Sequence, residues 1–359
     1  MLESPHTGFS ISNLILQELE YLGISSKIFS ITLDNVSNNE VAQRTMRRYL
    51  TLPVGENLFH VHCCAHIYNL IVQDGLHVLH NSIEVIRDIV LCINSSVSRY
   101  EMFKNCCVKL HMKRRNIPLD VPHRWNSIYL LLNVAITYRR VVDLFCEEMK
   151  EKYGNSNLQV PSDYDWAIAE VIRDFLDVFH TATKIFCSIY YPTSSRVLMQ
   201  LTHICMTFDK YSQFVAFKNA LVAMREKFSK YFDPLPILFS IAVVIDPRCK
   251  IEVLEVWLET LYANDPEKVK TQINEINNCL TQLYDEYKNQ LGEHRTPQNV
   301  TGSSSSSSSS SRFLGGFQLL KSRRTHSSTS SSGSTSELKM YLDQSVIDFD
   351  PNPNFDILA

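Results

Sequence analysis

A short apolar run that ends abruptly in an aspartate, residues 28–39 (IFSITLDNVSNN), is the feature that most constrains the fold. Its β-branched and aromatic residues favour a buried strand, and the polar residues after Asp34 favour a turn or the start of a helix. We therefore expect Asp34 at the mouth of a strand, where a rigid scaffold presents its carboxylate. Enzymes that cut nucleic acid with paired metals hold carboxylates in this way, but two metals need several acidic ligands.

The composition is that of an ordinary globular protein. Of the 359 residues, 45% are hydrophobic and 20% are charged, which suits one large domain or two smaller ones. The net charge of −3 argues against a basic surface over the whole molecule but allows a local one. No apolar run reaches the length of a membrane span, and the N-terminus does not have the pattern of a secretory signal. We therefore expect the chain in a reducing compartment, where its ten cysteines would be thiols.

Helical periodicity dominates most of the chain. It predicts a helix over 9–23 closed by Gly23, a helix through 41–50, one long helix over about 66–95, and a nearly all-helical region from 125 to about 290. Strands are expected at 27–34 and 57–63, and residues 240–246 are either a strand or a buried helix segment. The serine-rich residues 294–335 predict a flexible linker, with order resuming at 337–342.

Histidine and cysteine crowd into residues 60–66, HVHCCAH, in a pattern similar to part of a zinc site. A structural zinc site normally needs two ligand pairs separated by a loop, and no second pair follows at suitable spacing. The favoured interpretation is a strand-to-helix junction at which Cys63 and His66 fix the start of the helix.

Three other segments are candidates for function. The basic run 99–115, with Lys113, Arg114 and Arg115 at its end, is either the solvated face of a helix or a surface that follows a phosphate backbone. Trp125 is either a core anchor or a base-stacking platform beside a phosphate-binding Arg124. Asp246 is either part of a turn after a buried segment or a metal ligand.

Eight segments occur in the order typical of one family: PHTG (5–8), KIFSITLDNVSNN (27–39), HCCAHIYNLIVQDGL (62–76), LDVPHRWNSIYLLL (119–132), YYPTSS (190–195), KYFDPLP (230–236), AVVIDPRCK (242–250) and SELKMYL (336–342). Together they resemble the plant hAT transposases, in particular the domesticated RICESLEEPER- and DAYSLEEPER-like branch with BED zinc fingers. The resemblance covers nearly the whole chain, and its Cys-x-x-His and Arg-Trp motifs fall on Cys63 and His66 and on Arg124 and Trp125.

The resemblance implies an α/β fold, an RNase H-like transposase core with a large mainly helical insertion, incomplete at both termini. Asp34 matches the second carboxylate of the family's metal-binding Asp-Asp-Glu set, and the first and third have no counterpart, nor has the BED finger. We therefore expect a vestigial catalytic Asp34 and no resident cofactor, since Mg²⁺ or Mn²⁺ would need a complete site. The resemblance also favours a partly exposed Trp125 indole near the place where such a site would lie.

The implied division is a core segment at 1–75, the helical insertion at 76–235, a return to the core at 236–293, the linker at 294–335, and the start of a C-terminal dimerisation segment at 336–359. The favoured function is a nuclear, non-catalytic DNA-binding protein with weak, low-specificity binding through Arg124, Trp125, Lys113, Arg114 and Arg115. A homodimer through the C-terminal segment is a further expectation, and no membrane association is expected. The alternatives are an interaction-type or non-functional transposase fragment, and an active metal-dependent nuclease or transposase.

Overall fold

A computed structural model describes residues 7–79, 83–121, 124–154, 158–187, 193–263, 265–291 and 336–346. The chain divides into two compact units. The first unit contains residues 1–63, 188–202 and 234–359, and the second contains residues 64–187 and 203–233. Each unit has its own buried core.

The described residues are mostly helical. The two strands are β1 (Ile31–Leu33) and β2 (His60–His62). The α-helices are α1 (Gly8–Tyr21), α2 (Ser37–Met46), α3 (Cys64–Leu79), α4 (Glu84–Asn94), α5 (Val97–Lys109), α6 (Trp125–Thr137), α7 (Arg139–Tyr153), α8 (Asp163–Phe186), α9 (Ser194–Tyr211), α10 (Lys218–Phe232), α11 (Ile237–Ile245), α12 (Lys250–Leu261), α13 (Pro266–Leu291) and α14 (Glu337–Asp343). Short 3₁₀ turns lie at Ser25–Lys27, Gly55–Leu58 and Val215–Phe217.

In the first unit, β1 and β2 form a parallel pair in which Thr32 lies opposite Val61. Helices α1 and α2 pack together beside this pair over an apolar cluster that includes Met46 and Phe59. The predicted closure of α1 by Gly23 is confirmed, because Gly23 has a φ of +65°. The backbone N–H of Ile24 donates to the carbonyl of Leu19 and that of Gly23 donates to Glu20, which is the Schellman arrangement.

The later part of the first unit is built from α11, α12 and α13. A buried polar network ties this part together. The side chain of Gln272 donates to the carbonyl of Leu235, and the hydroxyl of Tyr262 donates to Gln272 and accepts from the N–H of Leu235. Each buried polar atom of this network therefore has a partner, as a dry interior requires.

Residues 240–246 are helical, because α11 covers most of them. Most of this helix is buried, so its apolar residues show no amphipathic period that could have separated strand from helix. No single helix among the described residues is long and apolar enough to cross a bilayer. Only the stretches 215–232 and 237–245, taken together, reach that length and composition.

Aromatic side chains form the core of the second unit, in which α3, α6, α8 and α10 pack together. Phe175 and Phe179 of α8 contact Phe208, and Phe179 also meets Tyr68 of α3. Helix α10 lies very close to α3 at Gly75, where a Cβ atom would come within 2.3 Å of the Met224 sulfur. A glycine is therefore required at that crossing unless Met224 moves.

Several sequence predictions need correction. The long helix expected over about 66–95 is two helices, α3 and α4, and both strands are only three residues long. The basic run 99–115 is helical only as far as Lys109, so Lys113, Arg114 and Arg115 lie beyond the end of α5. The predicted linker 294–335 lies outside the described residues, whereas order at 337–342 is confirmed by α14.

The prediction that the cysteines are thiols is confirmed for all ten. Seven are buried, Cys63 and Cys92 are intermediate, and Cys187 is exposed. Burial raises the pKa of Cys146, Cys205 and Cys249 to about 12. These buried thiols are therefore protonated and inert at neutral pH.

Candidate nucleic-acid interface

Asp34 directly follows β1, as predicted, and the polar residues after it begin α2. Its Oδ1 atom accepts a hydrogen bond from Nδ2 of Asn39, 2.5 Å away. The backbone N–H of Val36 lies 3.4 Å from the same oxygen, which is the pattern of an Asx turn. One oxygen of this carboxylate thus closes the turn between β1 and α2.

The surroundings of Asp34 do not fit a two-metal centre. Within the described ranges, no three His, Cys, Asp or Glu side chains gather closely enough to hold a metal ion. Two metals need several acidic ligands, whereas the closest partner of Asp34 is an amide N–H₂ group, which donates a hydrogen bond and cannot coordinate a cation. No catalytic step through Mg²⁺ or Mn²⁺ follows from these residues.

The histidine and cysteine cluster is a strand-to-helix junction, as predicted. His60 and His62 lie in β2 with their rings edge to face, 4.7 Å apart between centroids. Burial, with the charges of His62 and Arg47, lowers the pKa of His60 to about 4, so His60 is neutral at pH 7. Cys63 anchors the end of the strand through its N–H, which donates to Leu33, while the specific roles of Cys63 and His66 at the helix start stay predictions.

Trp125 is buried, with only 4% of its surface exposed, so the prediction of a partly exposed indole is wrong. Helix α6 starts at Trp125 and packs along α8, where the indole meets the ring of Phe179 edge to face at 6.3 Å. Tyr129, one turn along α6, stacks on His180 of α8 and donates to Asp177. The helix pair turns the indole inward, where a base cannot stack on it.

Arg124 precedes α6 and is exposed, in contrast to its neighbour. Ser127 anchors this helix start, because its hydroxyl donates to the carbonyl of Arg124 and accepts from the N–H of Val121, at 2.6 and 2.7 Å. The guanidinium is therefore presented from a well-anchored helix start.

A groove of about 530 Å³ adjoins Arg124 in the second unit. A further cation, Arg87, lies in its wall and pairs with Asp120 at 2.9 Å. Asp74, also in the wall, pairs with Lys227 at 3.0 Å. Because these cations are matched by carboxylates, the groove is mixed in charge rather than strongly positive.

The basic run divides into a part on α5, where two lysines form ion pairs, and a part beyond the end of α5. On α5, Lys104 pairs with Glu101 and Lys109 pairs with Glu148 of α7, at 2.8 and 2.7 Å. Lys113, Arg114 and Arg115, called the basic triplet below, are exposed and follow α5 in a segment without regular secondary structure. The backbone of Lys113 is held by the hydroxyl of Tyr138, which donates to its carbonyl at 2.8 Å. Local sequence could not reveal the pairing with Glu148, because that residue lies on another helix.

Sequence reasoning missed the role of Asp246. The residue does end α11 in a turn, but its carboxylate is buried against Arg248, which donates from Nε and a terminal nitrogen at 2.8 and 2.6 Å. Burial alone would raise the pKa of Asp246, but the hydrogen bonds and charge of Arg248 outweigh burial and lower it. Both oxygens are engaged by the guanidinium, so the reading as a metal ligand is wrong.

The structure assigns Arg124, Trp125 and the basic triplet to the second unit and Asp34 to the first. Three family models match consecutive parts of the chain. They are described as the ZBED1 RNase-like domain (residues 1–57), the ZBED1 RNase-like helical domain (61–175) and the hAT-like transposase RNase-H fold (188–287). These matches define the class as a transposase-related protein with an RNase H-like domain, in which the described residues are mostly helical.

Three plant proteins show the same relationship. Zinc finger BED domain-containing proteins RICESLEEPER 2 and RICESLEEPER 1 of Oryza sativa subsp. japonica are 27% and 26% identical, each covering 96% of this chain and 49% of its own length. The Putative AC transposase of Zea mays is 29% identical over 80% of this chain and 36% of its own length. The chain thus spans about half or less of these curated relatives, and it belongs to the hAT transposase-derived proteins.

Proposed function

We propose that this chain is a nuclear DNA-binding protein derived from a hAT transposase, without strand-cutting chemistry of its own. The observation that carries the proposal is the basic triplet, which is exposed and anchored at Lys113 by Tyr138, on the same unit as the exposed Arg124. Cations presented in this way contact phosphates and release counterions, which is the main source of sequence-independent affinity for DNA.

Low specificity follows from what lies beside these cations. Sequence is read by side chains that reach base edges, whereas phosphate contacts carry no direct sequence information. Trp125, the aromatic side chain next to Arg124, is packed on Phe179 and is not available for base stacking. Binding through phosphate contacts alone is therefore weak and nearly independent of sequence.

The absence of cutting chemistry is proposed from the environment of Asp34. Its Oδ1 atom accepts a hydrogen bond from Asn39 and closes a turn, which is a structural role.

We also propose the division into core segments at 1–75 and 236–293, a helical insertion at 76–235, a linker at 294–335 and a C-terminal segment at 336–359. Family-model boundaries at 57/61 and 175/188 and the compact second unit (64–187 and 203–233) support a mainly helical insertion between core segments.

The proposal is tested by fluorescence anisotropy of labelled duplexes of several sequences over a range of salt concentrations. Changing the basic triplet to alanine should weaken binding to every duplex alike. It should also reduce the slope of log affinity against log salt by roughly 2–3, because about 0.9 counterion is released per phosphate contact.

A matched control changes three exposed lysines elsewhere, Lys218, Lys270 and Lys288, to alanine, with the same loss of charge. This control should keep most of the affinity and the salt slope. Equal losses in both triple variants would show that only net charge matters. Tight binding to one duplex that persists at high salt would contradict low specificity, and exclusion of a fluorescent fusion from nuclei would contradict the location.

A further inference from the structure

Lys250 combines two unusual properties. Its φ is +52°, in the left-handed region that a residue with a side chain adopts only at a cost, and its surface is only 3% exposed. Lysine is almost never fully buried without a partner. Strained backbone of this kind persists where the surrounding structure requires it and often marks a functional position.

The partners of the Lys250 ammonium are main-chain carbonyl oxygens in the last turn of α14 and at its C-terminal cap. Nζ donates to the oxygen of Tyr341 at 2.5 Å and to that of Gln344 at 2.8 Å, and it also lies 4.3 Å from the centroid of the Tyr341 ring. Gln344 is the residue that caps the C-terminal end of α14. The last carbonyls of a helix have no partner within it and carry partial negative charge, so a buried cation is well matched to them.

Tyr341 completes the contact from the other side. Its hydroxyl donates to the carbonyl of Ile245 at 2.6 Å and lies 3.1 Å from that of Val244, at the end of α11. The turn between Ile245 and Lys250 is itself fixed by the buried Asp246–Arg248 pair. The turn therefore holds α14 at two points. The carbonyl of Ile245 accepts from the Tyr341 hydroxyl, and the Lys250 ammonium binds the carbonyls at the end of the helix.

Helix α14 is short and lies on the surface, with a further side-chain contact between Glu337 and the hydroxyl of Tyr284 at 3.5 Å. It has seven residues and none of them is fully buried. Isolated helices shorter than about 12–15 residues are marginal in water. The segment therefore behaves as a short ligand whose binding and folding are coupled.

We propose that the turn 245–250 is a docking site for a short helical peptide with a tyrosine three residues before its C-terminal cap, that the chain's own residues 337–344 occupy it, and that Lys250 recognises the helix end. The strained backbone of Lys250 is explained by this role, because the turn needs an ammonium group at a position where glycine would otherwise be preferred. The residues of this site belong to the first unit, whereas the cations proposed to bind DNA belong to the second.

The first test measures amide hydrogen exchange in the full chain. Lys250→Gly suits the positive φ but removes the ammonium, so it separates backbone strain from recognition. The amides of 337–343 should exchange about tenfold faster or more, because losing the ammonium contact shifts the docking equilibrium of the segment by about that factor. Protection of the amides in α11 and α12 should stay unchanged. Lys339→Ala, an exposed change on α14, is the control and should leave exchange unchanged.

The second test supplies the ligand as a separate molecule. A labelled peptide of residues 336–346 should bind the full chain carrying Tyr341→Ala, in which the chain's own segment no longer fills the site. Binding should be much weaker to the wild-type chain, and it should be lost when Lys250→Gly is added or when the peptide tyrosine is changed to alanine.

Three results would overturn the assignment. One is unchanged exchange of 337–343 in Lys250→Gly. Another is a peptide that binds the Tyr341→Ala chain no better than the wild type. The third is protection of 337–343 that rises with protein concentration, because the segment in the site would then come from a second copy.

Discussion

Arg124 and Trp125 are adjacent in the sequence and have opposite environments. The helix start at Trp125 directs the indole onto Phe179, and the preceding residue stays in solvent. The sequence predicted a DNA-binding role for both residues and left a core position open for Trp125, but it could not show which way the indole points. That direction depends on α8, whose Phe179 lies 54 residues further along the chain.

The burial of Trp125 predicts a large loss of stability on truncation. Trp125→Ala should lower the free energy of unfolding by about 3–5 kcal/mol, since it removes a large buried side chain and leaves a cavity. Chemical denaturation measures the change. Tyr164→Ala on α8, where the ring is 71% exposed, is the control and should have little effect. A stable Trp125→Ala variant that has lost affinity for single-stranded DNA would instead restore the stacking role.

The lowered pKa of His60 predicts a pH-dependent contribution to stability. His60 titrates near 4 in the folded protein and near 6.5 when unfolded. The unfolded state therefore takes up the proton first as the pH falls, so this stability is fully present above 6.5 and is lost progressively as the pH falls through 4. His60→Gln should show a shallower fall in unfolding free energy between pH 6.5 and 4 than the wild type. Parallel curves would contradict a neutral, half-buried His60.

At the level of elements, the sequence predicted most helical regions and the β1–Asp34–α2 turn, because those depend on local periodicity and on turn residues. The helix predicted through 41–50 is displaced, since α2 runs over Ser37–Met46. It merged α3 and α4, since the apolar residues from Leu79 to Ile83 keep the helical spacing across the break. Asn81 and Ser82 are residue types favoured at helix starts, and they were the available signal for two helices. Contacts between distant elements, such as Lys109 with Glu148, could not be read from local patterns.

The turn between α11 and α12 depends on its buried ion pair. Arg248→Met should lower the free energy of unfolding by about 3–5 kcal/mol, because it leaves the Asp246 carboxylate buried without its counter-charge. Adding Asp246→Asn removes that charge and keeps a side-chain oxygen that can accept from the backbone N–H of residue 248. The double variant should therefore recover a substantial part of the lost unfolding free energy. Thermal or chemical denaturation of both variants measures this. A double variant no more stable than Arg248→Met would show that the charge is not the cause.

At the scale of the whole molecule, the family relationship predicted more than the residues alone did. Ordered motifs spread over the chain identified the hAT class, which the three family models support. Composition and periodicity by themselves reached only a mostly helical globular protein with a local basic face. Neither the family relationship nor the composition and periodicity could predict which residues meet in space. The contact of Lys250 with α14 shows why, because its partners are more than 90 residues apart in the chain.

The chain is expected not to cleave or join DNA in Mg²⁺ or Mn²⁺, because Asp34 closes a turn and does not stand within a group of metal ligands in the described ranges. Incubation with supercoiled and linear DNA followed by gel electrophoresis measures this. Asp34→Ala should match the wild type. Metal-dependent nicking by the wild type that disappears in Asp34→Ala would identify a catalytic carboxylate.

Both units contain buried thiols, so the rate at which each thiol is alkylated reports how often its surroundings open. Cys249 and Cys279 are buried in the first unit, and Cys106, Cys146 and Cys205 are buried in the second. An alkylating reagent should modify the exposed Cys187 within the first moments and reach each buried thiol only when its surroundings open. The order in which peptides acquire the label would then show which unit opens more often, without any engineered probe.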